Sequence, residues 1–186
     1  GECTEQPEPL RRLAEDCRDR GLKVATHTNG AFPEHVPRLI GEVDKVSLDI
    51  KAAWPHYYEV TDLNCARHVQ ASLARYRDAH AAGTLPEFEI VHTVFRGHEA
   101  EVPAVAAVAE GVDLVLQQGV WGREPPLSLA EFQALADQLH RPVRIRTKEI
   151  GEVLYQDGVF TVAGSMTVTD PERLQAYYKS GVRRGD

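Results

Sequence analysis

The chain has 186 residues, of which 42% are hydrophobic and 26% are charged, and its net charge is −7. This length fits one domain with at most a small appendage. The absence of a long apolar run excludes a membrane span, and the acidic balance argues against nonspecific nucleic-acid binding, which needs a basic surface.

Helices and strands alternate along the first three quarters of the chain. The apolar spacing predicts a helix over 9–20 and a strand in LKVATHTNG that stops at Asn29-Gly30. The elements predicted after these are a helix over 34–42, the strand VSLDIKA, a helix from the N-cap Asn64 to 83, the strand FEIVHTVFRG, a helix over 99–110, the strand DLVLQQGVWG and a helix that starts at the capping-box pair Ser128 and Glu131. Parallel βα units repeat in this way, which predicts an α/β fold, either an open doubly wound sheet or a whole or partial barrel.

The last part of the chain departs from this repeat. VRIRT is a predicted strand, and a hairpin follows it about Asp157-Gly158. Asp170 is expected to cap a final helix that runs to Lys179. We therefore predict a (β/α) part over residues 1–142 and an added strand, hairpin and helix over 143–186 that pack on it.

Polar residues stand where each predicted strand ends. In parallel α/β folds these ends share one face, and the functional site lies there. The residues expected on that face are Glu2, Thr26 to Gly30, Asp49, Lys51, His92, Thr93, Arg96, Gln117 and Gln118.

Asp49 and Lys51 are the most informative of these residues. They are two positions apart on a strand, so both point to one side, which would be the interior of a barrel. An acid and a base there are costly to bury unless they bind something, whereas as a surface pair they would contribute little. We favour a small ligand that carries both charges. His27 is open between an interior histidine and a functional one.

Several other site types lack their motif. The sequence has no Gly-x-Gly-x-x-Gly, no P-loop and no Gly-x-Ser-x-Gly. The three cysteines, Cys3, Cys17 and Cys65, match no zinc or disulfide spacing. We therefore expect no metal ligands on this chain and a reducing, cytoplasmic location.

A family resemblance rests on four motifs in order: GECT, GLKVATHTNG, DKVSLDIKA and FEIVHTVFRG. Together they resemble the radical S-adenosylmethionine enzymes, and most of all the activating enzymes that make a glycyl radical on a partner such as anaerobic ribonucleotide reductase. The resemblance covers roughly residues 1–125 and implies a partial TIM-like barrel of parallel strands.

The resemblance implies a cofactor site. Gly1 and Glu2 match the end of a Gly-Gly-Glu motif whose glutamate binds the methionine ammonium group, and Thr28 and Asn29 match a T-N-G motif beside it. Asp49 and Lys51 match a D-x-K motif, with Asp49 at the ribose and Lys51 at the carboxylate of S-adenosylmethionine. His92 stands near a strand position where some activating enzymes have an arginine.

One family motif is absent from the sequence. The cluster motif C-x-x-x-C-x-x-C does not occur, so a [4Fe-4S] cluster is expected only in a longer protein and not on this chain. The resemblance implies reductive cleavage of S-adenosylmethionine to a 5′-deoxyadenosyl radical in that longer protein.

Three alternatives stay open. One is a radical enzyme that acts on a small molecule, as a deazaguanine synthase does. Another is a noncatalytic interaction module, which could form an oligomer through an exposed sheet edge. The third is an aldolase-type enzyme with Lys51 as a Schiff-base lysine. The aromatic loop 54–58 is either a docking rim for a partner protein or a loop packed on the barrel.

Overall fold

A computed structural model describes residues 2–162 and 166–180. The chain divides into two compact units, Gly1–Val91 and His92–Asp186. The helices and strands of the first unit are α1 (Pro7–Asp19), β1 (Ala25–Thr28), α2 (Val36–Leu39), β2 (Lys45–Asp49), α3 (Tyr57–Thr61), α4 (Ala66–Ala81) and the first part of β3 (Glu87–Val94).

The first unit is built on three parallel strands. Thr28 of β1 lies opposite Leu48 of β2, and Asp49 at the end of β2 lies opposite Val91 of β3. Apolar side chains such as Val46 and Leu48 are fully buried, as expected for strands covered by helices. This register brings the carboxyl ends of the three strands to one edge.

The second unit begins within β3. Its further elements are α5 (Val102–Val108), β4 (Asp113–Gln118), α6 (Leu129–Asp137), β5 (Val143–Thr147), β6 (Gly151–Gln156), β7 (Val159–Val162), β8 (Met166–Val168) and α7 (Pro171–Lys179). Strand β4 pairs with β5 in parallel, and β5 to β8 pair in antiparallel fashion. Within this unit β4 to β8 follow one another in the sheet in chain order.

The helix caps and the hairpin turn of the second unit form at the residues that the sequence predicts. Ser128 and Glu131 form both hydrogen bonds of a capping box at the start of α6. The hairpin between β6 and β7 turns at Asp157 and Gly158, whose φ angles are 48° and 82°, as a type I′ turn requires. Asp170 accepts hydrogen bonds from the N–H groups of Glu172 and Arg173 and so caps α7.

Three expectations about elements are wrong. The helix predicted over 34–42 is one short helix, α2, which ends where Ile40 turns to an extended conformation before Gly41 at φ 89°. The N-cap of α4 is Cys65 and not Asn64, and it makes no side-chain cap. Strand β8 was not predicted. The division predicted after residue 142 differs from the two compact units and stays a prediction.

Candidate functional site

The carboxylate of Glu2 is the best-connected group at the strand ends of the first unit. Its Oε1 atom accepts hydrogen bonds from the Thr4 N–H at 3.0 Å, the Thr4 hydroxyl at 2.6 Å and the Thr28 hydroxyl at 2.7 Å. Its Oε2 atom accepts from the Asn29 N–H at 2.8 Å. The carboxylate therefore links the segment before α1 to the end of β1.

These hydrogen bonds set the charge state of Glu2. Partial burial raises the pKa of this carboxyl, but the bonds from Asn29, Thr4 and Thr28 outweigh burial and bring the pKa below its usual value. Glu2 is therefore ionised at neutral pH. Among the described residues Oε1 has three close oxygen or nitrogen donors and Oε2 has one. Three of these four donors share Oε1, so Oε2 is the less engaged oxygen and the one that can accept a further donor.

Cys3 and Thr4 are contacts that sequence reasoning did not assign. The Cys3 thiol lies 3.1 Å from the Thr26 hydroxyl and 3.0 Å from the carbonyl oxygen of His27. Burial raises the pKa of the Cys3 thiol, and the adjacent Glu2 adds to this, so the thiol is protonated and donates. A local pattern could have indicated the contact between Thr4 and Glu2. A threonine two positions after an acidic residue can donate to its side chain, as in local capping motifs.

The Thr28-Asn29-Gly30 turn is fixed by its own side chains. The Thr28 hydroxyl accepts from the Gly30 N–H at 3.0 Å, and Asn29 Oδ1 accepts from the Ala31 N–H at 2.9 Å. Gly30 has φ 71°, and a Cβ atom there would lie 2.8 Å from the Leu48 side chain. Only glycine fits this position without strain. The turn thus presents the Asn29 N–H to Glu2 in a defined direction.

Asp49 and Lys51 form the expected pair of opposite charges. The Lys51 Nζ lies 2.6 Å from Asp49 Oδ2, and the two side chains are 33% and 27% exposed. The Ile50 N–H between them donates to the carbonyl of Val91 at 2.9 Å. Since Thr28 lies opposite Leu48, the last residue of β2, Asp49, lies beside Asn29, which follows β1.

The interior face of the first unit carries a second polar group that the sequence did not reveal. Glu89 is only 1% exposed, yet it accepts from the Ser47 hydroxyl at 2.6 Å and lies 2.7 Å from the Lys45 Nζ. The parallel register places Ser47 directly opposite Glu89. This network explains why Ser47 is polar without a ligand.

The sequence leaves two roles open for His27 and two for the aromatic loop 54–58. His27 is exposed, so it is not a buried interior histidine. In the aromatic loop Tyr57 is buried and packs near Trp54, at 5.7 Å between ring centroids, while Tyr58 is exposed. The loop is therefore partly packed and partly open, and its role as a docking rim stays a prediction.

The remaining site predictions lie elsewhere. His92 is buried on β3 and belongs to the second unit, so its contact with a cofactor stays a prediction. Gly1 lies outside the described residues. No group of three histidine, cysteine or acidic residues within 2–162 and 166–180 could hold a metal ion. Cys3, Cys17 and Cys65 are separate free thiols, so they do not fit an iron–sulfur cluster.

Solved structures similar to this chain include two that bear on its fold. A domain of pyruvate-formate lyase-activating enzyme from Bacteroides vulgatus ATCC 8482 matches with a TM-score of 0.58 and 17% identity over 75% of this chain and 88% of that one. TYW1 with a lysine-pyruvate adduct bound matches with a TM-score of 0.62 and 17% identity over 84% of this chain. This chain has the fold of the radical S-adenosylmethionine enzymes.

The comparison confirms the resemblance and the predicted fold class, an α/β partial barrel with a C-terminal hairpin and helix. At 17% identity it establishes the fold alone. The match spans about half of the TYW1 chain, 54%. No family model and no curated protein matches the sequence. No helix of the described residues is long and apolar enough to cross a membrane.

Proposed function

We propose that the first unit binds the methionine end of S-adenosylmethionine at the ends of β1 and β2. Glu2 accepts from the ammonium group through Oε2, Lys51 pairs with the carboxylate, and Asp49 accepts from the ribose hydroxyls. Thr28 and Asn29 hold Glu2 in place. His92 and Gly1 remain further proposed contacts of the cofactor, as the family resemblance implies.

The observation that carries this proposal is the state of the Glu2 carboxylate. It is ionised, and hydrogen bonds from two chain segments fix its direction. Its Oε2 atom has capacity for one more donor. An ammonium group would be a stronger donor to this oxygen than a neutral group, because its hydrogen bond to a carboxylate is charge-assisted.

The charges on the neighbouring strand complement a ligand of mixed charge. Asp49 and Lys51 are partly exposed, so a ligand can reach both without a large desolvation cost. A carboxylate from the ligand would compete with Asp49 for Lys51, and the three donors of a lysine ammonium allow it to serve both. An amino-acid group needs one anion and one cation from the protein, which Glu2 and Lys51 supply.

The cluster that the family uses does not fit the residues described here, so we derive no reaction step through it. For the whole protein we propose an enzyme of the activating type, which makes a glycyl radical on a partner protein. The likeness to a domain of an activating enzyme, of which this chain covers 88%, supports this choice. A cytoplasmic location remains part of the proposal.

A second candidate is a radical enzyme that acts on a small molecule. It is favoured by the likeness to TYW1, which binds a lysine-pyruvate adduct and matches 84% of this chain. Both candidates use the same cofactor site. Only the first candidate requires a partner protein, so binding of such a partner would separate them. Association of the chain with itself through an exposed sheet edge stays a separate proposal.

Calorimetric titration with S-adenosylmethionine tests the cofactor site. We expect wild type to bind, and Glu2→Gln to bind about ten-fold more weakly because the amide loses the charge-assisted bond. Glu5→Gln is the matched control, since Glu5 is exposed in the same short segment, and it should bind as wild type does. Equal affinity of Glu2→Gln and wild type would reject the proposed role of Glu2.

A further inference from the structure

A pocket lies where the chain leaves β3 and β4 in the second unit. Its volume is about 350 Å³, close to the lower end of the range for ligand pockets. It is lined by Arg96, Gly119, Trp121, Gly122, Arg123, Glu124, Pro125 and Pro126. None of these residues is among those proposed to bind the cofactor.

Close packing fixes one wall of the pocket. The Gly119 N–H donates to the carbonyl of Val94 at 3.0 Å, and a Cβ atom at Gly119 would lie 2.6 Å from the Phe95 ring. Phe95 in turn meets the Trp121 indole edge-on, with ring centroids 5.4 Å apart. His98 stacks on the same indole at 5.8 Å. Trp121 is thus supported on two sides, although its side chain is 57% exposed.

Arg96 fixes the opposite wall. Its guanidinium donates to the carbonyls of Pro125 and Pro126 at 2.8 and 3.2 Å and forms a two-pronged pair with Glu131 at 2.9 and 3.0 Å. The Arg96 hydrogen bond lowers the pKa of Glu131 to about 2, so this pair stays charged at neutral pH. The proline carbonyls and Glu131 are therefore already engaged.

The polar side chains of the pocket that remain available for binding indicate which chemical groups its ligand would carry. Trp121, Arg123 and Glu124 make no side-chain hydrogen bond or ion pair within the part of the chain that the structure describes. Trp121 and Arg123 are donors, so they favour a carboxylate. Glu124 is an acceptor, so it favours an N–H group of the same ligand. The open indole face and the two prolines favour a flat apolar group beside that carboxylate.

We propose that this pocket binds an acidic peptide segment of a partner protein, with an aspartate or glutamate next to an aromatic residue. A peptide carries the carboxylate, the N–H group and the flat side chain in one short stretch. A peptide also suits an open pocket whose tryptophan is more than half exposed, because a small ligand is usually enclosed on most sides. Trp and Arg are the residues that most often dominate such contacts.

Tryptophan fluorescence of the full chain tests this inference without any cofactor. The chain has two tryptophans, so Trp54→Phe leaves Trp121 as the reporter. The probe is N-acetyl-Gly-Phe-Asp-Gly-amide, and its matched control is the same peptide with Asn for Asp. We expect saturable quenching by the Asp peptide and binding about ten-fold weaker by the Asn peptide. Arg123→Gln should weaken the binding of the Asp peptide by a similar factor. Arg173→Gln, at an exposed position, should leave the affinity for this peptide unchanged.

Three results of the peptide titrations would overturn the inference. They are the absence of saturable quenching, equal binding of the two peptides, and an unchanged affinity in Arg123→Gln. Titration with phenylacetate distinguishes a peptide ligand from a small-molecule ligand that carries the same groups. If phenylacetate bound as tightly as the Asp peptide, the pocket would be a small-molecule site and the inference would be wrong. The measurement uses no S-adenosylmethionine, so its failure would leave the proposed cofactor site unaffected.

Discussion

Oε2 of Glu2 lies 2.8 Å from the backbone nitrogen of Asn29, a residue 27 positions further along the chain. This bond, together with the one from the Thr28 hydroxyl, attaches the first described residues to the end of β1. The carboxylate therefore acts as a clamp as well as a proposed ligand for an ammonium group.

The first prediction is that this clamp depends on pH. The pKa of Glu2 is lowered in the folded chain, so its contribution to stability is present above the ordinary carboxyl pKa and is lost as pH falls through the folded value. We expect Glu2→Gln to lower the free energy of unfolding by about 1 kcal/mol at pH 7.

Urea unfolding from pH 3 to 7 measures this effect. The difference between Glu2→Gln and wild type should begin to shrink as pH falls below the ordinary carboxyl pKa, and it should disappear as pH falls through the lower pKa of folded Glu2. A difference that stays constant over the whole range would show that the charge of Glu2 does not matter. Glu5→Gln, at an exposed position, should follow wild type throughout.

The second prediction concerns Tyr76, whose hydroxyl is buried without a hydrogen-bond partner among the described residues. Burial raises the pKa of this phenol, so it stays neutral. Because no bond is lost, Tyr76→Phe should leave stability unchanged or raise it by about 1 kcal/mol. Thermal unfolding checks this. A loss of more than about 1 kcal/mol would mean that the hydroxyl has an ordered partner such as a buried water.

The third prediction concerns the buried Glu89. Lys45→Met would leave its carboxylate without the ammonium group 2.7 Å away. We expect a loss of about 2 kcal/mol, less than for a fully buried pair because Lys45 is partly exposed. The double variant Lys45→Met with Glu89→Gln should recover part of this loss. Lys23→Met, at an exposed position, is the control. Equal stabilities of all variants would show that the pair contributes nothing.

The fourth prediction concerns Gly119 beneath the proposed peptide pocket. Its φ is not positive, so alanine causes no backbone strain there. The added Cβ would instead lie 2.9 Å from the carbonyl oxygen of Val94 and 2.6 Å from the Phe95 ring. We expect Gly119→Ala to cost about 1–3 kcal/mol.

Fluorescence of Trp121 would report the accompanying shift of the aromatic wall. Gly122→Ala is the matched control, since a Cβ atom there has open space around it but φ is 62°. Its cost should stay near 1 kcal/mol, the usual penalty for left-handed backbone. If both variants were equally stable, close packing at Gly119 would not be the cause.

The sequence predicted the elements whose signals are local. The capping box of α6, the Asp157-Gly158 hairpin and the Asp170 cap each depend on residues within a few positions, and all three are confirmed. Asp49 and Lys51 pair as the sequence predicts, although the predicted strand is shorter: β2 ends at Asp49 and Lys51 lies just beyond it.

The residues that the sequence did not reveal make contacts between distant positions. Glu89 is paired with Lys45 and Ser47 across neighbouring strands, and nothing near Glu89 in the chain indicates a buried acid. The bond between Glu2 and Asn29 needs the parallel register as well as the turn. The sequence alone could not decide whether His27 is an interior or a functional histidine. Its exposure depends on which elements lie beside β1, and these are distant in the chain.

The most direct test of the cofactor proposal compares S-adenosylmethionine with 5′-methylthioadenosine, which lacks the amino-acid group and the sulfonium charge. Calorimetry on wild type should give S-adenosylmethionine an affinity at least about ten-fold higher, because Glu2 and Lys51 bind only the amino-acid end. In the double variant Glu2→Gln with Lys51→Met this preference should largely disappear, while 5′-methylthioadenosine binds as it does to wild type. Equal affinity of the two compounds for wild type, or an unchanged preference in the double variant, would contradict the proposed site.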